Sequence, residues 1–278
     1  MVYTAAYLTA LGRQLLWFAG VATVIGVGEH FLPAGPNPPF RDRIGNFLIV
    51  IGVSFPLAGL LALTEFVPRT LISEGLMGVV FGGWHPASLG GLVAATAVYA
   101  FVWDSFQYWS HRAQHTIGWL WPAHALHHDD DHVNSTTAVR NTLWSGALGF
   151  VLVYLPTSVI CGFDLLTVYG AWLLFATWGF VNHANVRLRL GPLTSVISGP
   201  QWHRIHHGRD PRYHDANFAA FFPVIDVVFG TYRRPAADEF PLTGLDGRPR
   251  PPLAPGQVVR DIFGFAPRAS EEAASADR

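Results

Sequence analysis

The chain has 278 residues, with 18 lysines and arginines against 19 aspartates and glutamates and a formal net charge of −1. Charged residues make up 13% of it, against roughly 25% in an average soluble domain, and the mean hydropathy is +0.28, which argues against a water-solvated globule and for a chain solvated partly by lipid. The near-zero charge leaves no footprint for nucleic acid, and one cysteine, Cys161, excludes an intrachain disulfide and a cysteine-based zinc knuckle.

From the N-terminus, Tyr7 to Phe31 is the first apolar stretch. Arg13, Glu29 and His30 interrupt it, and it lacks the basic start and cleavage site of a signal peptide, so it reads as a retained span or an interfacial helix. Four later segments approach the roughly 20 apolar residues that a helix needs to cross about 30 Å of hydrocarbon. They are Ile44 to Val67, Ser88 to Trp103 running on toward His111, Leu143 to Gly162, and Leu165 to Val181. Only Phe163 and Asp164 separate the last two, which predicts a tight helical hairpin. The expected fold is all-α: a polytopic membrane bundle of four to five helices with a histidine-rich helical cap. Arg112, Arg140, Arg187, Arg189, Arg204, Arg209, Arg212, Arg233 and Arg234 flank the spans on one side, with Arg41 and Arg43 if the first segment crosses, against Arg69 on the other. By the positive-inside rule the histidine-rich face is cytoplasmic. Residues 1–85 are expected to be N-terminal membrane helices, 86–235 the histidine-bearing domain with the hairpin, and 236–278 a partly disordered tail rich in proline and alanine.

Nine of the 13 histidines fall in four places on that face. His111 and His115 are spaced i, i+4 at the end of the Ser88 segment. His124, His127 and His128 follow as His-x-x-His-His, and His203, His206 and His207 repeat the pattern. Each set shares one helical face, which is the arrangement a metal ion needs. Chance would supply one His-x-x-His-His on the order of 0.03 times in this length. His183 stands alone past the last span, where the hairpin returns it to the same surface. His132 and His214 lie beside the clusters but off the pattern, as candidates for an outer layer or for solvent. Nine imidazoles exceed the four to six ligands of one ion and suit two.

No glutamate lies between Glu74 and Glu239, which excludes a Glu-x-x-His carboxylate di-iron bundle. Asp104, Tyr108, His111 and His115 form one helical stripe. A carboxylate at membrane depth is costly without a task; orienting an imidazole N–H is one such task, for Asp104 with Tyr108 beside it, and a plain buried polar contact is the alternative. Imidazole suits zinc, iron, copper and nickel alike. A metal pair at the edge of a bilayer meets long, mostly unfunctionalised hydrocarbons, and the reaction there that needs two redox metals is oxidation of an unactivated C–H bond by O2.

Several motifs together resemble the fatty acid hydroxylase superfamily: His111-Arg112-x-x-His115, Leu120-Trp121-x-x-His124-x-x-His127-His128, Asn134-x-Thr136-Thr137-Ala138-x-Arg140, Pro200-x-x-His203-Arg204-x-His206-His207, and Asp226-x-x-Phe229-Gly230-Thr231-Tyr232. The resemblance covers about residues 85 to 235 and looks most like the sterol desaturase and alkylglycerol monooxygenase branch. It implies a non-haem di-iron centre, two iron ions with O2 as co-substrate, held on the cytoplasmic side by His111, His115, His124, His127, His128, His183, His203, His206 and His207. Asp215 and Asn217 fall in the family's Asp-x-Asn stretch, where they imply an outer-layer or loop-ordering role, with a surface turn as the alternative; Asn134 is grouped with them. Asp226 to Tyr232 is expected to dock the C-terminal segment rather than touch metal. Asp129-Asp130-Asp131 departs from the family pattern, so no one member's substrate carries over.

The chain carries no haem or flavin fingerprint, so electrons must come from a separate donor: a ferredoxin, a cytochrome b5-like protein or a reduced pterin. The arginine-rich face suits an acidic partner, and membrane anchoring explains it equally. The expected activity is hydroxylation of a lipid-like substrate, whether sterol, fatty acyl, ether lipid or isoprenoid. A desaturase would share every ligand. A membrane metal transporter or a zinc hydrolase is the rival of a different class.

Overall fold

A computed structural model describes residues 2–64, 78–81, 84, 86–162, 165–245 and 255–264. Among these residues the regular structure is helical, apart from two isolated β-bridges. The longer helices are α1 (Val2–Phe31), α2 (Phe40–Thr64), α3 (Leu89–Thr116), α4 (Trp121–His128), α5 (Leu143–Cys161) and α6 (Leu165–Asn182). Shorter ones follow: α7 (Pro200–His206), α8 (Val224–Phe229) and α9 (Pro255–Phe263).

Local chemistry sets the ends that matter for the site. Ser88 caps α3 by accepting from the amide of Gly91 at 3.1 Å. Prolines at the first turns of α4 and α7 start the two short helices that carry the repeated histidine pattern. Pro156 supplies no N–H to α5, and just ahead of it Phe150–Tyr154 widens into a π-turn in which Leu155 donates to Phe150.

Among the described residues, three helices are long and apolar enough to cross a bilayer: Leu11–Phe31, Leu89–Thr116 and Leu143–Cys161. Only 17%, 22% and 11% of the residues in their most apolar stretches are buried inside the protein, so most of their surface needs lipid as its solvent. The interrupted N-terminal stretch is thus one of the three. α2 and α6 cover the other two expected segments; Val67 and the Phe163–Asp164 connection lie outside the described residues.

Glu29, which breaks the apolar run of α1, is fully buried and holds four segments together. It pairs with Arg43 of α2 at 2.6 Å and accepts the backbone amides of Ser135 at 2.6 Å and Asn185 at 2.9 Å. Apolar packing follows the same lines, with Phe18, Ala22, Val50, Val139 and Phe180 in one cluster and Ala95, Tyr99, Cys161 and Ala171 in another. Part of the expected C-terminal tail is docked. Val258 and Ile262 of α9 pack with Ile49, Val53 and Leu126, because α9 is amphipathic and α2 offers an apolar face.

Candidate metal centre

The nine clustered histidines converge from α3, α4, the end of α6 and α7 into two sets. His111, His115, His124, His128 and His206 form one, and His127, His183, His203 and His207 the other; within each, the candidate ligand atoms all lie within 4.8 Å of one another. The sets do not follow the sequence clusters. Neighbouring helical residues point about 100° apart, so His127 and His128 part company, as do His206 and His207. Each adjacent pair therefore gives one ring to each set, and the rings of His128 and His207 stack at 4.4 Å across the divide.

Ring orientation comes from backbone carbonyls. Nδ1 of His111 lies 2.7 Å from the carbonyl of Phe218, that of His183 2.7 Å from Gly179, that of His206 2.8 Å from Ala216, and that of His127 3.3 Å from Arg140. A carbonyl only accepts, so each Nδ1 carries the proton and each Nε2 is bare. Yet the Nε2 atoms of His127 and His183 are 3.0 Å apart, those of His183 and His203 3.0 Å, and those of His111 and His124 2.9 Å. His115 Nε2, His206 Nε2, His203 Nδ1 and both ring nitrogens of His207 are buried without a partner among the described residues. Burial, reinforced by the neighbouring rings, holds His124, His127, His128, His203, His206 and His207 well below the ordinary imidazole range, and burial brings His183 to about 4. The rings are therefore neutral at neutral pH, and between His127 and His183, both protonated on Nδ1, no proton is left to bridge the two Nε2 atoms. Two nitrogens each about 2.1 Å from one metal ion and at right angles stand about 3.0 Å apart, so the donor set fits a metal ion in each group.

The carboxylate and phenol expected to orient an imidazole act elsewhere. Asp104 accepts three backbone amides, those of Ala220 at 2.7 Å, Phe221 at 2.9 Å and Phe222 at 2.7 Å. It thereby fixes the segment whose Phe218 carbonyl aligns His111, one step further out than expected. Tyr108 meets Thr231 at 3.0 Å and accepts from Arg112 at 3.0 Å, with no imidazole in reach of its hydroxyl. Asp226 accepts the amides of Phe218 and Ala219 and the Thr231 hydroxyl, so it too braces this segment and touches no imidazole.

Asp215 and Asn217 take left-handed backbone conformations, with φ of 57° and 65°. Asp215 reaches to 3.8 Å from His115 Nδ1, while Asn217 is buried and ties Trp202 to Arg233 through its amide. Asn134 caps the short 3-10 turn Ser135–Val139. His132 and His214 join neither set; His214 is exposed, with Nε2 3.3 Å from the Arg209 carbonyl.

Sequence reasoning missed the orienting carbonyls, which no side-chain search finds, and it treated Arg140 as a flanking charge. Arg140 is fully buried, donating to the Leu126 carbonyl at 2.7 Å and to Asn46 at 3.3 Å. Its place in the Asn134 to Arg140 motif was the available signal. Several other arginines of the face are paired within the chain: Arg189 with Asp238, Arg209 with Asp131, Arg212 with Asp210 and Arg233 with Glu239.

Both sets open onto one cavity of about 600 Å³. His111, His124, His127, His183 and His203 line one part of it, and Phe18, Val50, Trp103, Val168, Trp172 and Phe175 are among its apolar walls. A membrane protein with two adjoining imidazole sets at the head of an apolar cavity is the class that fold and site define.

Residues 96–231, which contain all nine imidazoles, match the family model described as fatty acid hydroxylase. This segment belongs to the fatty acid hydroxylase superfamily. The chain is similar to alkylglycerol monooxygenase of Homo sapiens, 32% identical over 130 residues, 46% of this chain and 28% of that protein. It is similar to ornithine lipid hydroxylase OlsE of Rhizobium tropici, 30% identical over 144 residues, 49% of this chain and 42% of that protein. A very-long-chain aldehyde decarbonylase of Oryza sativa is 27% identical over 205 residues, 66% of this chain and 31% of that one. The chain thus spans between about a quarter and two fifths of the length of these relatives. No solved structure matches it significantly.

Proposed function

We propose that this chain is a membrane-bound non-haem di-iron oxygenase that hydroxylates a C–H bond of a lipid-like substrate, using O2 and electrons from a separate donor. The observation that carries the reading is the pair of bare Nε2 atoms on His127 and His183, 3.0 Å apart, with His203 Nε2 a further 3.0 Å from His183, beside a cavity walled by apolar side chains. His111, His115, His124, His128 and His206 would hold one iron and His127, His183, His203 and His207 the other. Bound there, the metal pair would supply the redox chemistry by which a substrate R–H, O2, two electrons and two protons become R–OH and water. The protein's own part is to hold the rings in one tautomer through backbone carbonyls, to lay an alkyl chain along the apolar wall, and to keep bulk water from the reacting carbon. The excess of arginine on the histidine face supports a cytoplasmic orientation, where a ferredoxin, a cytochrome b5-like protein or a reduced pterin would deliver the electrons.

The test is anaerobic reconstitution with iron(II), then addition of O2 and a donor to membrane lipid extracts, with product masses read. A product one oxygen atom heavier supports hydroxylation. One two hydrogens lighter makes the chain a desaturase. Turnover without O2, with zinc in place of iron, replaces the reading with a hydrolase.

A further inference from the structure

The short helix α8 is turned inside out for a helix in water. Val224, Val227 and Val228, spaced i, i+3 and i+4, share one face and are 41%, 50% and 70% exposed, while Asp226 is fully buried on the opposite side. Helices that face water carry the reverse pattern.

The height of α8 along α3 follows from two ring contacts. Phe222, just ahead of α8, meets Phe101 at 5.6 Å between ring centroids, and Phe229 at its end meets Trp109 at 4.8 Å. At about 1.5 Å per residue from Leu89, Phe101 stands about 18 Å and Trp109 about 30 Å along α3, against roughly 30 Å of bilayer hydrocarbon. A tilted span only sinks both residues deeper. The stretch of α3 beside α8 is therefore the last part of the hydrocarbon, up to its rim. Trp109, with the Arg112 guanidinium carbon 5.6 Å from its ring centroid, has the aromatic and basic character of that rim. Leu89, Val93, Phe101 and Trp109 are exposed along α3, so the valine face of α8 continues a surface that already needs lipid.

The backbone leading into α8 meets the condition that such depth imposes. Irregular chain in hydrocarbon must have its amides paired inside the protein. The five consecutive amides from Phe218 to Phe222 all are, the first two by Asp226 and the next three by Asp104.

We propose that the valine face of α8 is immersed in the acyl chains of the surrounding bilayer, so that Phe218–Phe229 is a re-entrant element holding the histidine-bearing cap down in the membrane. Lipid is the occupant because the face runs on from the lipid-covered side of a span, at the depth of that span's apolar length. The proposal concerns placement in the membrane and is independent of which metal the imidazoles hold.

The test is spin-label depth in the full-length protein in phospholipid nanodiscs. Nitroxides are attached one at a time through Val227→Cys, Val228→Cys, Val93→Cys on the exposed side of α3, and Asp238→Cys, whose parent side chain is 85% exposed. The native Cys161 is buried, and unaltered protein carried through the labelling sets the background. Collisions with O2, which concentrates in hydrocarbon, and with a water-soluble nickel chelate are read by electron paramagnetic resonance. The ratio of O2 to nickel collisions at 227 and 228 is expected to be several-fold above that at 238 and close to that at 93. A ratio like that at 238 puts the face in water and overturns the proposal. Weak collisions with both probes at both sites also overturn it, since a second copy or another protein then covers the face. Unaltered protein provides a second measurement that needs no variant to fold: a phosphatidylcholine with a photoactivated diazirine on its acyl chain should leave adducts on Val224–Phe229, and adducts on α3 without any on α8 overturn the proposal.

Discussion

Glu29 in α1 and Asn185 beyond α6 are joined by a 2.9 Å hydrogen bond across 156 positions of sequence. The same carboxylate holds Arg43 and the amide of Ser135, so the first helix, outside the 96–231 segment, is fastened to two of the loops beside the imidazoles. Glu29→Ala leaves the Arg43 guanidinium without its partner and strands two amides, and should cost about 3 kcal/mol or more. Glu29→Gln keeps an acceptor and should fall between. Thermal unfolding of detergent-solubilised protein reads the effect, and an unchanged midpoint in Glu29→Ala would show that α1 is not clamped in this way.

Histidines of similar sequence surroundings should differ sharply in what they hold. His207→Ala removes a ring that belongs to the four-membered set, and iron content after reconstitution should fall by about half or more. His214→Ala removes an exposed ring outside both sets and should leave the content unchanged. Metal analysis of the purified variants decides, and equal loss in the two removes the distinction drawn from their positions.

Asp104→Asn presents an amide NH2 to a row of backbone donors where three hydrogen bonds now converge on the carboxylate. The expected cost is about 2 kcal/mol or more. Because the same segment aligns His111 through the Phe218 carbonyl, iron retention should fall along with the unfolding temperature. If Asp104→Asn retains both, Asp104 is a bystander.

Acidification should unfold the metal-free protein early. His183 is held at about 4 against an ordinary 6.5, and the six buried rings on α4 and α7 are lowered as well. Between those values the unfolded chain binds more protons than the folded one, so stability rises with pH through the window and is lost as pH falls below about 6.5. The unfolding temperature of chelator-stripped protein should therefore drop steeply from about pH 6.5 toward pH 4. A flat profile would mean the rings are not buried in neutral form.

The sequence made the helices and the imidazoles legible because both are periodic. Spacings of four residues put His111 with His115, His124 with His128, and His203 with His207 on shared faces, and each of those pairs falls within one set. It did not reveal how rings from different helices regroup, because adjacent positions such as His127 and His128 diverge by a rotation that only tertiary packing converts into membership of a set. Asp104 was misread for a related reason. A buried carboxylate advertises a task, but backbone amides compete for it on equal terms with imidazoles and leave no trace in residue identity. Glu29 looked like a blemish in an apolar run; the three partners that justify it lie 14, 106 and 156 positions away.

The division of each His-His pair between the two sets means that a peptide unit bridges them twice, once in α4 and once at the end of α7. Consecutive Cα atoms are held at about 3.8 Å by covalent geometry, so this bridge works as a ruler, and a stiffer one than side-chain packing. Neither half of the centre can be pulled away from the other by a hinge or a loosened helix without breaking the coil of a helix first. Whatever spacing a pair of ions bound there would adopt should survive heating, detergent and substrate entry until that local structure itself melts.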